Sequence, residues 1–263
     1  MQDLAFIFAG FFVGLVVGLT GVGGGSLMTP ILIFFFDVKP YLAIGTDLLF
    51  AAFTKMGGTI KMARARQVEW RVVFHLSAGS IPAALLTLFV LDRFGATSAA
   101  VQQLMTTTLG VALLLTAAAT LYKAVRGKTA PTSVAPGHEA LAATPLHWSL
   151  PLLFGAVIGA LVTLTSVGAG AIGVTVLMLL YPLLPLPRIV AADIAYAVPL
   201  TLVAGLGHAS LGSVDWPLLA KLLAGSIPGI WVGSHLMARI PERLIRSLLS
   251  VLLAYAGTKL IAL

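Results

Sequence analysis

The sequence predicts an all-α, polytopic integral membrane protein made of two copies of one helical unit. Three observations predict it. The 263 residues are 59% hydrophobic and only 10% charged, where a soluble domain carries roughly 25% charged residues. Apolar stretches near or above ~18 residues, long enough to cross a bilayer, recur along the whole chain. The second half also repeats the first, motif by motif, at a nearly constant offset.

Composition also narrows the function. The net charge of +7 does not point to nucleic acid. The basic residues fall in short loops, where they set topology and meet anionic headgroups of the lipid bilayer. With no cysteine, disulfides, thiolate metal sites and Cys nucleophiles are ruled out. The start, MQDLAFIFAG, holds Asp3 but no Lys or Arg, so no cleaved signal peptide is expected.

In chain order the apolar segments are 4–36, 41–62, 72–91 and 99–122, then 149–181, 188–210, 216–237 and 243–262. The first is interrupted by Gly21-Val22-Gly23-Gly24-Gly25-Ser26. Each interior glycine costs a helix about 1 kcal/mol against alanine, so the run predicts a break. Without one, the helix would be about 50 Å long against a ~30 Å hydrocarbon core. Broken backbone at membrane depth is tolerated where protein buries it or a watery cavity meets it. Amides freed there can form an anion-binding nest. A second copy, Ser166-Val167-Gly168-Ala169-Gly170, interrupts segment 149–181. Two breaks at matching places are the sequence pointer to a transporter's substrate site. Close helix packing is the other reading of these glycines. It accounts less well for a GVGGG cluster followed by Pro30.

Residues 123–147 hold Lys123, Arg126, Lys128 and three prolines. They predict a cytoplasmic linker between a first repeat, 1–122, and a second, 148–263. At an offset of 146, Thr46-Asp47 falls on Ala192-Asp193, Val68-Glu69-Trp70 on Val214-Asp215-Trp216, and Gly79-Ser80-Ile81-Pro82 on Gly225-Ser226-Ile227-Pro228. The glycine motifs match at 145, so one residue is inserted between. The loop near 61–71 carries Lys61, Arg64, Arg66 and Arg71, while its mate near 207–217 has no Lys or Arg. The positive-inside rule therefore places the first loop in the cytoplasm and its mate outside. The linker and the 239–246 turn, with Arg239, Arg243 and Arg246, are then cytoplasmic, and Asp92-Arg93 is outside. This closes only if each half crosses an odd number of times, so the repeats are expected to be inverted. Segments 4–36 and 149–181 then each cross twice or fold back as re-entrant hairpins, and both termini lie outside.

Asp47 and Asp193 are repeat mates inside apolar segments, where ionisable residues are functional candidates. They could take up and release a proton during transport. Each also follows a proline, Pro40 or Pro187, so a helix-start role beside the dipole is the alternative. Lys55 lies well inside its segment, and its mate is the neutral Thr201. A single buried cation suits an anion site. The alternative is snorkelling toward the basic loop, although Arg64 is ~13 Å away along a helix. Lys55 and Asp47 are too far apart in sequence to pair along one helix. His75 and Lys221 are mates read as snorkelling to an interface. His208 and His235 read as packing residues, because no His pair has ligand spacing; neither a metal nor a cofactor is expected. Trp70, Trp148 and Trp216 read as an aromatic belt, and Pro82 and Pro228 as matched kinks.

GLTGVGGGSLMTPIL, then AIGTDLLFAAFTK, RQVEW and GSIPA, with SVGAG, AADIAY, GSVDW and GSIPG in the second half, resemble the TauE/SafE (sulfite exporter) family of bacterial membrane proteins. The resemblance covers nearly the whole chain. It implies export, or less often uptake, of small sulfur-containing anions such as sulfite, sulfoacetate or other organosulfonates across the inner membrane. It also implies that segments 21–26 and 166–170 line the site. The chain departs from the family pattern at Asp47, where many members carry Ser, and at Gln67, where Gly is usual.

The expected mechanism is alternating access, with no catalytic residue. The small anionic substrate would sit between the breaks, held by amides around Gly21, Gly23, Gly24, Gly25, Gly168 and Gly170. Ser26, Ser166 and Lys55 would complete the cradle. A passive anion channel is the alternative within the same class. An intramembrane aspartyl protease using Asp47 and Asp193 is the alternative from another, though GTD and AAD differ from the GxGD pattern such enzymes resemble.

Overall fold

Segments that read as continuous apolar runs fold as continuous helices, and the second glycine-interrupted segment folds as two. The computed structural model describes residues 2–20, 25–126, 149–236 and 242–262. Its helices are α1 (Gln2–Thr20), α2 (Gly25–Phe36), α3 (Pro40–Arg64), α4 (Trp70–Phe94), α5 (Ala99–Arg126), α6 (Ser149–Thr165), α7 (Ala171–Leu180), α8 (Leu186–Ser210), α9 (Trp216–Leu236) and α10 (Glu242–Ile261). No strand occurs among the described residues. Gly21, Gly23 and Gly24, Trp148, Arg239 and most of the expected linker lie outside them. The first four linker residues, Lys123 to Arg126, instead extend α5. No helix breaker precedes Gly127, and cations are favourable at a helix C-terminus.

Local chemistry sets the ends. Pro40 and Pro187 occupy first-turn positions of α3 and α8, where a missing N–H costs nothing. Asp215 caps α9 by accepting the Leu218 N–H at 2.9 Å. Gly95, at φ 77°, closes α4. Among the described residues four helices are long and apolar enough to cross a membrane: α4, α5, α8 and α10. Their outer faces expose Phe74, Leu86, Leu248 and Tyr255, which suits contact with lipid.

Helices of the first five pair with helices of the second five. Gly14 packs so closely on α9 that a Cβ would strike the Ser226 backbone; Gly159 meets the Ser80 backbone of α4 in the same way. These are the same contact made twice, since 159 is 14 plus 145 and 226 is 80 plus 146. Gly10 faces Leu222 and Gly18 faces Ile230, so α1 runs parallel to α9; Gly155 faces Leu76, so α6 runs parallel to α4. Between α3 and α8 the sense is opposite. Gly45 meets Ser213, Gly205 meets Leu49, and Gly58 meets Ile194.

These contacts define how the broken segments enter. Asp3, at the start of α1, pairs with Lys221 in the early turns of α9. The Asp215 N–H, just before α9, binds Thr46 Oγ1 near the start of α3, at 3.0 Å. So α1 begins, and α2 ends, at the end of the bundle where α3 starts. At 12 and 10 residues, α2 and α7 are about 18 and 15 Å long, half a hydrocarbon core. The antiparallel α2–α3 and α7–α8 turns therefore bring the starts of α2 and α7 back alongside the middle parts of α3 and α8. The α6–α7 pair enters from the opposite end, where α3 finishes and α8 starts. One apolar core, including Leu76, Ile158 and Leu177, lies on the α4–α6–α7 side of the α3–α8 pair; the other, including Val13, Leu109 and Leu222, lies on the α1–α5–α9 side.

Candidate functional site

Midway along the α3–α8 crossing, three charged side chains are buried together. Asp47 is 0% exposed, Asp193 1% and Lys55 5%. Asp47 stands seven residues past Pro40 and Asp193 seven past Leu186, well beyond the first turn. The helix-start reading of these carboxylates therefore does not describe them.

Asp47 accepts a hydrogen bond from Thr29 Oγ1 of α2 at 2.5 Å. Ser166 lies beside the same carboxylate, with its hydroxyl not closed onto any partner. Lys55 donates from Nζ to the Ala169 carbonyl at 3.2 Å. It lies within electrostatic reach of Asp193 first and Asp47 second. Its ammonium therefore turns inward to the second break instead of snorkelling to the basic loop. The tertiary fold brings Asp47 and Lys55 near each other, which their spacing on α3 alone would not do.

The break itself has unusual backbone. Ser166 has φ 59°, and Gly168 and Gly170 have φ 134° and 135°. Glycine adopts such angles freely, whereas a serine there is strained by about 1–3 kcal/mol. Part of the amide nest is already engaged within the break. The Ser166 N–H binds the Val162 carbonyl, Gly173 N–H the Gly168 carbonyl, and Val174 N–H the Gly170 carbonyl, while the Val167 N–H binds Thr165 Oγ1. What the break offers Lys55 is the Ala169 carbonyl. In the first copy, Gly25 opens α2 and Ser26 is half-buried in its first turn.

Sequence reasoning missed three contributors. Thr29 gives Asp47 its hydrogen bond; the signal was its mate Thr175 at the 146 offset, a hydroxyl placed twice in an apolar run. Gly173 makes room for Asp193, whose Oδ1 a Cβ there would strike. Tyr196 is buried, with its hydroxyl beside Ser80 and within electrostatic reach of Asp193.

The remaining candidates lie apart. His208 is buried and binds the Thr163 carbonyl through Nε2 at 2.9 Å. His75 and His235 are exposed and bind carbonyls on their own helices. Trp70 and Trp216 are half exposed at the starts of α4 and α9. Among the described residues no group of three His, Cys, Asp or Glu could hold a metal ion.

Comparison with known proteins is consistent in kind. The family described as sulfite exporter TauE/SafE matches residues 6–260. The probable membrane transporter protein YjnA of Bacillus subtilis (strain 168) is 36% identical over 260 residues, covering 99% of this chain and 100% of YjnA. YunE of the same organism, also a probable membrane transporter protein, is 28% identical over 284 residues, covering 99% of this chain and 98% of YunE. No solved structure matches.

Proposed function

From the premise that the chain belongs to the sulfite exporter TauE/SafE family of membrane transporters, we propose that it carries small sulfur-containing anions across the bacterial inner membrane by alternating access. The substrates are sulfite, sulfoacetate or other organosulfonates. The observation that carries this reading is Lys55, a buried ammonium turned onto the second helix break. An anion entering between the breaks meets Lys55, Ser166 and the amides near Gly168 and Gly170. The matching motif of the first repeat, Gly21 to Ser26, of which Gly21 to Gly24 lie outside the described residues, is assigned the other half of the cradle by the repeat of the sequence. Asp47 and Asp193 take up and release protons as the site is exposed to each face.

Two inverted repeats, 1–122 and 148–263, build this carrier. The antiparallel α3–α8 pair and the entry of the two broken segments from opposite ends support that organisation. Inverted repeats meeting at discontinuous helices present one site to either face of a membrane. The presence of Lys55 within reach of both aspartates favours a carrier over a protease dyad, in which two carboxylates share a proton.

The test is flux of radiolabelled sulfite, sulfoacetate or another sulfonate in cells with and without the protein. Saturable flux with counter-transport is expected, and Lys55→Ala and Gly24→Leu should abolish it. Wild-type flux in both variants would remove the site assignment. Flux that rises linearly with substrate and shows no counter-transport would identify a channel instead.

A further inference from the structure

We propose that the buried α3–α8 cluster accepts a singly charged anion only together with one proton, so that each turnover moves no net charge. This rests on the transporter reading above and specifies the charge of its substrate and its coupling.

The argument is a count of buried charge. Asp47 and Lys55 come from α3, and Asp193 and Tyr196 from α8. Among the described residues, the other elements against the cluster bring uncharged groups: the hydroxyls of Thr29 from α2, Ser166 from the break and Ser80 from α4, and the Ala169 carbonyl. With both carboxylates and the ammonium ionised, the cluster carries one uncompensated negative charge. An uncompensated charge inside a low-dielectric interior is strongly disfavoured. The resting cluster therefore holds one proton on the aspartate pair and is neutral. In that state the remaining carboxylate occupies the field of Lys55, and an incoming anion is repelled by it.

A second proton removes that competitor. Both aspartates are then neutral, Lys55 is the one remaining charge, and a monoanion restores neutrality. A dianion would leave the cluster negative again, so among the substrates proposed above hydrogen sulfite and monosulfonates are carried, while sulfoacetate, doubly charged at neutral pH, is selected against. No second cation is available from the symmetric position. Thr201, the mate of Lys55, is buried and spends its hydroxyl on the Ala197 carbonyl at 2.8 Å. One proton therefore crosses with one anion, and both leave together. Direction follows the pH gradient and the solute gradient. Membrane potential has no part in it.

The experiment uses the full chain in proteoliposomes, with radiolabelled methanesulfonate as the monoanion and sulfate as the dianion. At zero potential, one unit of pH gradient should hold about a tenfold methanesulfonate gradient, as one-to-one coupling requires. A potential of about 100 mV without a pH gradient should leave the distribution within about twofold. Uncoupled anion movement would instead follow it about fifty-fold. Sulfate should neither accumulate nor compete. Asp47→Asn and Asp193→Asn made together leave Lys55 as the one charge of the cluster, so methanesulfonate should then lose pH-driven accumulation and follow the potential. Wild-type protein whose methanesulfonate follows the potential, or a double variant that still accumulates it with pH, would overturn the coupling while leaving the carrier intact. Absence of counterflow for every sulfonate tried would overturn both the coupling and the substrate assignment.

Discussion

The framework and the cluster it surrounds follow opposite rules. In the framework the two sets of five helices are near duplicates: Gly14 on Ser226 is repeated by Gly159 on Ser80, residue for residue. In the cluster they differ at several of the positions that bear chemistry. Lys55 faces a mate of Thr201, Tyr196 a mate of Phe50, and Ser166 a mate of Gly21. The aspartates, the threonines at 29 and 175 and the serines at 80 and 226 are shared. Packing between backbones demands the same small residue in both copies. On the proposed reading a single small anion needs only one cation, and a second would leave an unmatched buried charge.

That contrast can be broken most forcefully in the framework. Gly14→Leu and Gly159→Leu should each abolish monodisperse protein in detergent, because the new side chain meets backbone that cannot give way. Failure of only one of the pair would show that the duplicated seams are not equivalent. Next in size is the asymmetric pair in the cluster. Lys55→Ala should reduce flux at least 100-fold, since stripping a partner from buried charges costs about 3–5 kcal/mol. Thr201→Ala removes only a bond within its own helix, worth about 1 kcal/mol, and should stay within about threefold of wild type. Equal losses in initial-rate assays would mean the cluster is chemically symmetric after all.

A smaller effect sharpens the point. Thr29→Val keeps shape but removes the hydrogen bond to Asp47, a charge-assisted contact of about 1.5–3 kcal/mol, so flux should fall about tenfold and its pH midpoint should move. Titrating flux against pH would read this out, and an unmoved midpoint would detach Asp47 from coupling. The smallest effect belongs to Asp3→Asn. It breaks the exposed pair with Lys221, and such pairs contribute little in salt. Melting temperature should not change measurably.

Much of the fold was legible because lipid imposes strong rules. Helix positions followed from the lengths of apolar runs, and the break at Ser166 to Gly170 from its glycines. Lys55 and the aspartates stood out because charge is rare in such segments. The partners of those charges were less visible. Whether Lys55 snorkels or turns inward depends on where Ala169 lies in three dimensions. Thr29 and Gly173 look like ordinary helix residues until α2 and α7 are laid against α3 and α8. The amides of the break could be counted from sequence, but their internal engagement could not, since that depends on φ values.

The seam between α1 and α9 also has a consequence in time. Gly14 is synthesised about two hundred residues before the Ser226 backbone it rests on, so the first helix enters the bilayer without its closest neighbour. Its small-residue face must wait, exposed to lipid, until nearly the last helix emerges from the ribosome. Assembly of this protein is therefore sealed late. Polypeptides cut within 127–148 should accumulate only when both pieces are made in the same cell.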